Sequence, residues 1–321
     1  MTHDLEEVAS ALVADGKGIL AADETPHTLT KRFDTLGILS TEKSRCIYRE
    51  MLFTADVADF ISGVILQDET IRQRGSDGTP LIQTLSKQGI LPGIKVDAGA
   101  KPLAGAPGET VTEGLDGLRE RLAEYRDMGA RFAKWRAVIH ISDVLPSHAC
   151  ISANAHAVSR YAVLCQEQNL VPIVEPEVLM DGAHTIGRCE AVTGAVLFAV
   201  FSALHDQGVW LERMLLKPNM VIAGKPRSTS VQEVATATLR CLRRHTGARV
   251  DRVIARVRAV HGNVALFAHG HVLRVLVARW IGFPPAAGER FLLDTGTVCV
   301  LSYYYEIPAV RVWNGSLPIT G

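Results

Sequence analysis

A chain of 321 residues, 47% of them hydrophobic, is long enough for one large core or for a core with a small appendage. Its 34 basic residues balance 34 acidic ones, so no global field attracts nucleic acid or an anionic membrane, and anion binding must come from a local cluster. The opening MTHDLEEVAS lacks the basic-then-apolar layout of a signal peptide, and no apolar run reads as long enough to span a membrane. Six cysteines (Cys46, Cys150, Cys165, Cys189, Cys241 and Cys299) show no framework spacing, which predicts reduced, mostly buried thiols and a cytoplasmic location.

From the N-terminus onward, short apolar runs end in polar residues. Residues 18–22 lead into Asp23, and residues 63–66 into Gln67, Asp68 and Glu69. Residues 93–97 carry Lys95 and Asp97, residues 132–136 carry Lys134 and Arg136, and residues 171–177 carry Glu175 and Glu177. Met214, Leu215 and Leu216 lead into Lys217, which is pinned by Pro218. Between these runs lie amphipathic stretches at 112–127, 154–168 and 231–244. Strand-like runs alternating with helices imply βαβ units and a parallel sheet. A repeat of roughly 30 to 50 residues suits an α/β (β/α)₈ barrel, whose strand C-termini converge on one mouth.

Alternation along a strand adds a constraint. Lys134 and Arg136 face one way, as do Glu175 and Glu177, and Lys95 and Asp97. The ordinary reading is a ladder of ion pairs lining a polar lumen, and it serves well for Glu177, Asp97 and Arg136. It is weaker for Lys217, Lys134 and Glu175 together, because burying three charges is costly unless they pair or work. A lysine at a strand end in dry surroundings is suited to Schiff-base chemistry with a carbonyl substrate.

The motifs GKGILAADE, GVIL, GIKVD, PLAG, GLDGL, FAKWR, VPIVEPE and LLKPNMV occur in that order up to about residue 245. Together they resemble class I fructose-1,6-bisphosphate aldolase. The resemblance implies an eight-stranded TIM barrel, a sugar phosphate substrate, no metal or other cofactor, and a tetramer. Carried over by motif, Lys217 would be the imine-forming nucleophile, beside Lys134, a neighbouring cation that favours a free amine. Glu175 would be the general acid/base that removes water from the carbinolamine, and Asp23 would take the substrate hydroxyl proton during carbon–carbon cleavage. Glu177 would orient the lysine pair. Lys95, Arg136, Lys31 and Arg32 match positions near the substrate phosphates, and Thr25 and Thr28 stand where the family usually has serines.

From about residue 246 that pattern stops. The Ser-Gly-Gly and Ser-Tyr-Gly-Arg loops expected after strands seven and eight do not occur, nor does the family's tyrosine-bearing tail. Residues 248–314 instead resemble the C-terminal part of the histidine phosphatase (phosphoglycerate mutase-like) family, in which the strand ending at His269 and Gly270 supplies an active-site histidine. The nucleophilic Arg-His-Gly loop of that family does not occur after any strand-like run. The expected organisation is therefore an aldolase barrel of about six βα units over 1–245, joined to a phosphatase-like fragment over 246–321. The fragment would act as a foreign strand-helix-strand replacement for the last one or two βα units. Two arrangements stay open. Residues 264–268, 272–281 and 297–305 could supply strand seven, its helix and strand eight, with His269 and Arg274 forming a substitute phosphate site at a helix N-terminus. Alternatively the fragment packs as an appendage. Three functions accompany these arrangements: an aldolase, a non-catalytic sugar phosphate binder, and a phosphatase-like activity.

Overall fold

The six polar-ended runs become the six strands of one parallel sheet in this computed structural model. The structure describes residues 4–245, 254, 257–260, 262, 264, 270–283, 285–294 and 297–315. They divide into two compact units, Met1–Ser228 and Thr229–Gly321.

The first unit begins with α1 (Leu5–Leu12), β1 (Gly18–Ala21), α2 (Pro26–Asp34) and α3 (Glu42–Phe53). Next come β2 (Ile61–Leu66), α4 (Asp68–Arg72), α5 (Leu81–Lys87) and β3 (Leu91–Lys95). A small hairpin of β4 (Ala100–Pro102) and β5 (Thr110–Thr112) precedes α6 (Leu118–Met128) and β6 (Phe132–Ile139). Then follow α7 (His148–Glu167), β7 (Val171–Val178), α8 (Ile186–Asp206) and β8 (Leu215–Leu216). The sheet order is β1-β2-β3-β6-β7-β8, with every neighbouring pair parallel. This is the βαβ grammar of a TIM barrel, with the helices as crossovers.

Alternation sorts the faces. On β6, Trp135 points outward and stacks near Tyr161 of α7, ring centroids 5.4 Å apart. Phe132 and Lys134 occupy the opposite face. The lower end of that face is apolar: α1 packs Leu5, Val8, Ala9 and Leu12 against Ile65, Phe132, Val171 and Ile173. Two glycines make room there. A Cβ on Gly93 would lie 2.2 Å from the Phe132 ring, and one on Gly63 would lie 2.6 Å from Leu12. Charged residues therefore begin only above a sealed apolar floor.

Two expectations are modified and a third is met. The stretch 112–127 is helical only from Leu118, because Gly114 and Gly117 take positive φ (123° and 62°) and residues 110–112 form β5. One helix does reach membrane-spanning length and apolarity: α8 has 21 residues and a mean hydropathy of 1.4 over its best window. Its buried stripe, including Val192, Val196, Val200 and Leu204, belongs to the protein core, and α8 packs on α7 and β7. The six cysteines are free, and four are buried, as expected.

In the second unit, α9 (Val231–His245) and α10 (Gly270–Trp280) are followed by β9 (Val298–Tyr304) and β10 (Ile307–Gly315). The unit boundary at Ser228 falls in the polar loop after Lys217, whereas the change of sequence character comes near residue 246. Helix α10 is buried at Val275, Leu276, Val277 and Trp280. Trp280 centres this core, its indole N–H shared between the carbonyls of Ser302 and Ala309, each at 3.2 Å. Of the two arrangements left open, the one that uses residues 297–305 as an eighth barrel strand differs from the pairing seen among the described residues. β9 pairs antiparallel with β10 in a sheet of two. The reversal is local: Tyr305, at φ 54°, and Glu306 make a two-residue turn, the shortest connection an antiparallel pair allows. Residues 265–268, most of the expected seventh strand, lie outside the described residues.

Candidate active site

Above the apolar floor, four charged side chains form one continuous chain. Lys134 donates to Asp23 Oδ2 at 2.7 Å and lies 3.3 Å from Glu175 Oε2. Glu175 Oε1 accepts from Lys217 Nζ at 2.6 Å. Lys134, Asp23 and Glu175 are buried, while the Lys217 side chain remains 49% exposed. The three residues singled out as too costly to bury without a purpose are thus brought together, with Asp23 added.

The electrostatics follow from this packing. Burial pushes the Lys134 amine down, but the charges of Asp23 and Glu175, with the hydrogen bond to Asp23, outweigh burial and hold it above the ordinary lysine value. Lys134 is therefore a fixed cation. Glu175 Oε2 has no well-aligned hydrogen bond despite being buried, since its contact with Lys134 is ionic only. A carboxylate oxygen in that state retains unused acceptor capacity next to the Lys217 amine.

Local structure explains the placement. Asp23 follows β1, whose pairing with β2 is extended by Ala22 N–H to the Ile65 carbonyl at 3.1 Å. The loop is then anchored through Glu24. The fully buried Arg49 of α3 bonds the Glu24 carboxylate at 2.6 Å and its carbonyl at 3.1 Å, and Arg32 pairs with the other carboxylate oxygen. Lys134 and Glu175 sit on adjacent central strands, where β6 pairs with β7 along its whole length. Lys217 follows β8, and its own N–H reaches the Val174 carbonyl at 2.9 Å.

A second tier surrounds the chain. Lys95 donates to Asp97 Oδ1 at 2.5 Å, and Asp97 also receives the N–H groups of Gly99 and Arg136. Glu177, expected to orient the lysine pair, accepts from Arg136 Nε at 2.5 Å. A two-residue step carries it about 6.6 Å along β7 from Glu175, toward the rim. Thr25 caps α2 by accepting from Thr28 N–H at 3.3 Å, and the two hydroxyls lie 3.1 Å apart. Lys31 and Arg32 are exposed on α2, Arg32 on Glu24. His269 lies outside the described residues. Arg274 is in the second unit, where its Nε donates to the Gly288 carbonyl at 3.1 Å.

Sequence reasoning missed Glu24, Arg49 and Asn219. An arginine in an amphipathic helix looks like a solvated charge, so nothing in the pattern around Arg49 marks it. Asn219 stands past the end of β8 and its amide reaches Thr193 of α8, away from the carboxylate that Lys217 meets, so alternation along the strand does not mark it.

Residues 4–256 match the family model described as fructose-bisphosphate aldolase class-I, and residues 238–316 match the histidine phosphatase superfamily (branch 1). A probable fructose-bisphosphate aldolase class 1 of Xanthomonas campestris pv. campestris is 58% identical over 244 residues, covering 75% of this chain and 73% of that protein. Fructose-bisphosphate aldolase C of Rattus norvegicus is 51% identical over 245 residues, covering 75% and 68%. Among solved structures, a fructose-bisphosphate aldolase from Plasmodium falciparum, crystallised with TRAP and a small-molecule inhibitor, superposes with a TM-score of 0.74 at 39% identity. That match covers 89% of this chain and 90% of the other.

Proposed function

We propose a reaction for this chain from its family: it belongs to the class I fructose-bisphosphate aldolases, and it cleaves fructose 1,6-bisphosphate or a related ketose phosphate through a lysine imine. The observation that carries this reading is the Asp23–Lys134–Glu175–Lys217 chain, in which one buried carboxylate bridges two lysines.

In this reading the Lys217 amine attacks the ketone carbon to give a carbinolamine. Glu175, already 2.6 Å from that amine, takes the proton the nitrogen sheds on addition and passes it to the departing hydroxyl, and water leaves to form the protonated imine. Asp23 takes the proton of the hydroxyl on the carbon beyond the breaking bond. The bond's electron pair flows into the iminium, producing an enamine and releasing an aldehyde. The positive nitrogen stabilises the carbanion character that develops. Lys134 holds the Asp23 and Glu175 carboxylates in place between β1, β6 and β7. Lys95, Arg136, Lys31 and Arg32, with the Thr25 and Thr28 hydroxyls, supply the local attraction for phosphate that a chain of zero net charge lacks overall. The domain reading that goes with this is an aldolase barrel over 1–245 and a phosphatase-like fragment over 246–321, in a cytoplasmic homo-oligomer.

The test is borohydride reduction in the presence of dihydroxyacetone phosphate, followed by peptide mass mapping. A stable adduct on Lys217, absent in Lys217→Met, is expected. A folded protein with no adduct would leave a sugar phosphate binder without turnover. The match over 238–316 favours one further reading, phosphate-ester hydrolysis by the C-terminal segment. That reading requires phosphate release that His269→Ala abolishes.

A further inference from the structure

We propose that Asn219 is the positioning residue that fixes Lys217 against Glu175, acting as a side-chain substitute for the end of a truncated strand. The inference rests on the reading of Lys217 as the reacting amine.

β8 is only two residues long. Its ladder with β7 consists of Leu215 beside Ile173 and Leu216 beside Val174, closed by Lys217 N–H on the Val174 carbonyl. Pro218 has no N–H to continue it. β7 nevertheless runs on to Val178, a buried residue whose N–H needs a partner. Asn219 Oδ1 provides it, accepting from Val178 N–H at 3.1 Å. The other end of the same amide donates to Thr193 Oγ1 of α8 at 3.2 Å and to the Met220 carbonyl at 3.0 Å. Thr193 is 2% exposed, so this anchor is in the core.

The chemistry fixes the orientation of the amide. Turned over, its NH₂ would face the Val178 N–H and its oxygen the Met220 carbonyl, placing like groups together. Lys217 is thus bracketed by a main-chain bond at its own nitrogen and by a three-way clamp two residues later. Both brackets tie it to β7, the strand that carries Glu175. The lysine stem is flexible and half exposed, and without the clamp its root would be held on one side only. Asn219 makes no described contact with the charged chain itself, so its effect must pass through the position of Lys217.

Two readouts test this, and only one of them depends on aldolase chemistry. The first is reductive methylation by formaldehyde and cyanoborohydride, scored as Lys217 relative to the exposed Lys101. In the intact protein Lys217, held on Glu175, should react more slowly than Lys101; in Asn219→Ala the ratio should rise several-fold. The second is steady-state cleavage, where Asn219→Ala should lower kcat by about 10- to 100-fold with KM within about threefold, the pattern of a misplaced reacting group. Thr193→Val should move both readouts the same way by less, and Thr193→Ser, which keeps the hydroxyl, should restore them. An unchanged Lys217 methylation ratio in Asn219→Ala and Thr193→Val overturns the proposal. If Asn219→Ala does not fold, the Thr193 pair decides. A chain that forms no adduct with dihydroxyacetone phosphate would sink the imine reading, while the methylation ratio would still decide the role of Asn219.

Discussion

Lys134 shows how a buried cation can hold two carboxylates together. It satisfies two buried carboxylates that would otherwise face one another across the lumen. Lys134→Met should therefore destabilise the protein by about 3–5 kcal/mol, the usual consequence of leaving buried charges without their partner. The pH dependence has a definite sign. The folded-state amine is held above the ordinary lysine value of 10.5, so its contribution is fully present below that value and is lost as pH climbs from there through the raised value. Urea unfolding of wild type and Lys134→Met should show a gap that is constant from about pH 7 to about pH 9.5 and shrinks above about pH 10.5. A gap that closed instead toward acid would assign the effect to the carboxylates.

At the scale of elements, the sheet was legible because its signals are local. The six apolar runs, each ending in charge, became β1, β2, β3, β6, β7 and β8 in that order along the sheet. Alternation likewise placed Lys134 and Glu175 on the lumen side. It could not tell that Glu177 would meet Arg136 instead of the lysines, because that depends on which rung of two neighbouring strands meets which. The hairpin of β9 and β10 escaped for a related reason. Its turn, Tyr305-Glu306, carries none of the Asn-Gly or Gly signals by which such turns are read. The apolar floor was also invisible, since it depends on α1 packing against residues far away in sequence. It makes a sharp prediction. Gly93→Ala would drive a methyl into the Phe132 ring, which is fully buried and cannot retreat, so the change should cost about 1–3 kcal/mol by overpacking. Paired with Phe132→Leu, the same change should cost measurably less than the sum of the two single changes. Strict additivity of the unfolding free energies would mean that the floor is looser than the close packing described.

For the molecule as a whole, charge balance constrains how substrate is gathered. Equal numbers of acidic and basic residues remove any net field, and the site repeats this balance in miniature. Lys134, Lys217, Lys95 and Arg136 are matched by Asp23, Glu175, Asp97 and Glu177. An incoming phosphate finds cations already engaged by carboxylates and must compete for them at contact range. Electrostatic attraction should therefore act only within a few ångströms of the mouth. Raising ionic strength from about 0.01 M to about 0.1 M shortens the screening length from about 30 Å to about 10 Å, which removes long-range steering but leaves contact pairs largely intact. With dihydroxyacetone phosphate and an aldehyde phosphate as condensation substrates, kcat/KM should change by less than about threefold over that interval, whereas a steered enzyme would lose about tenfold or more. At higher salt, inorganic phosphate should compete where chloride at equal ionic strength does not, because only phosphate can take the contact-range donors of Lys95 and Arg136 from their carboxylates. A steep loss already at low salt would instead reveal a one-sided field across the barrel mouth, and the pairing of Lys95 with Asp97 and of Arg136 with Glu177 would then be released in the substrate-free protein in solution.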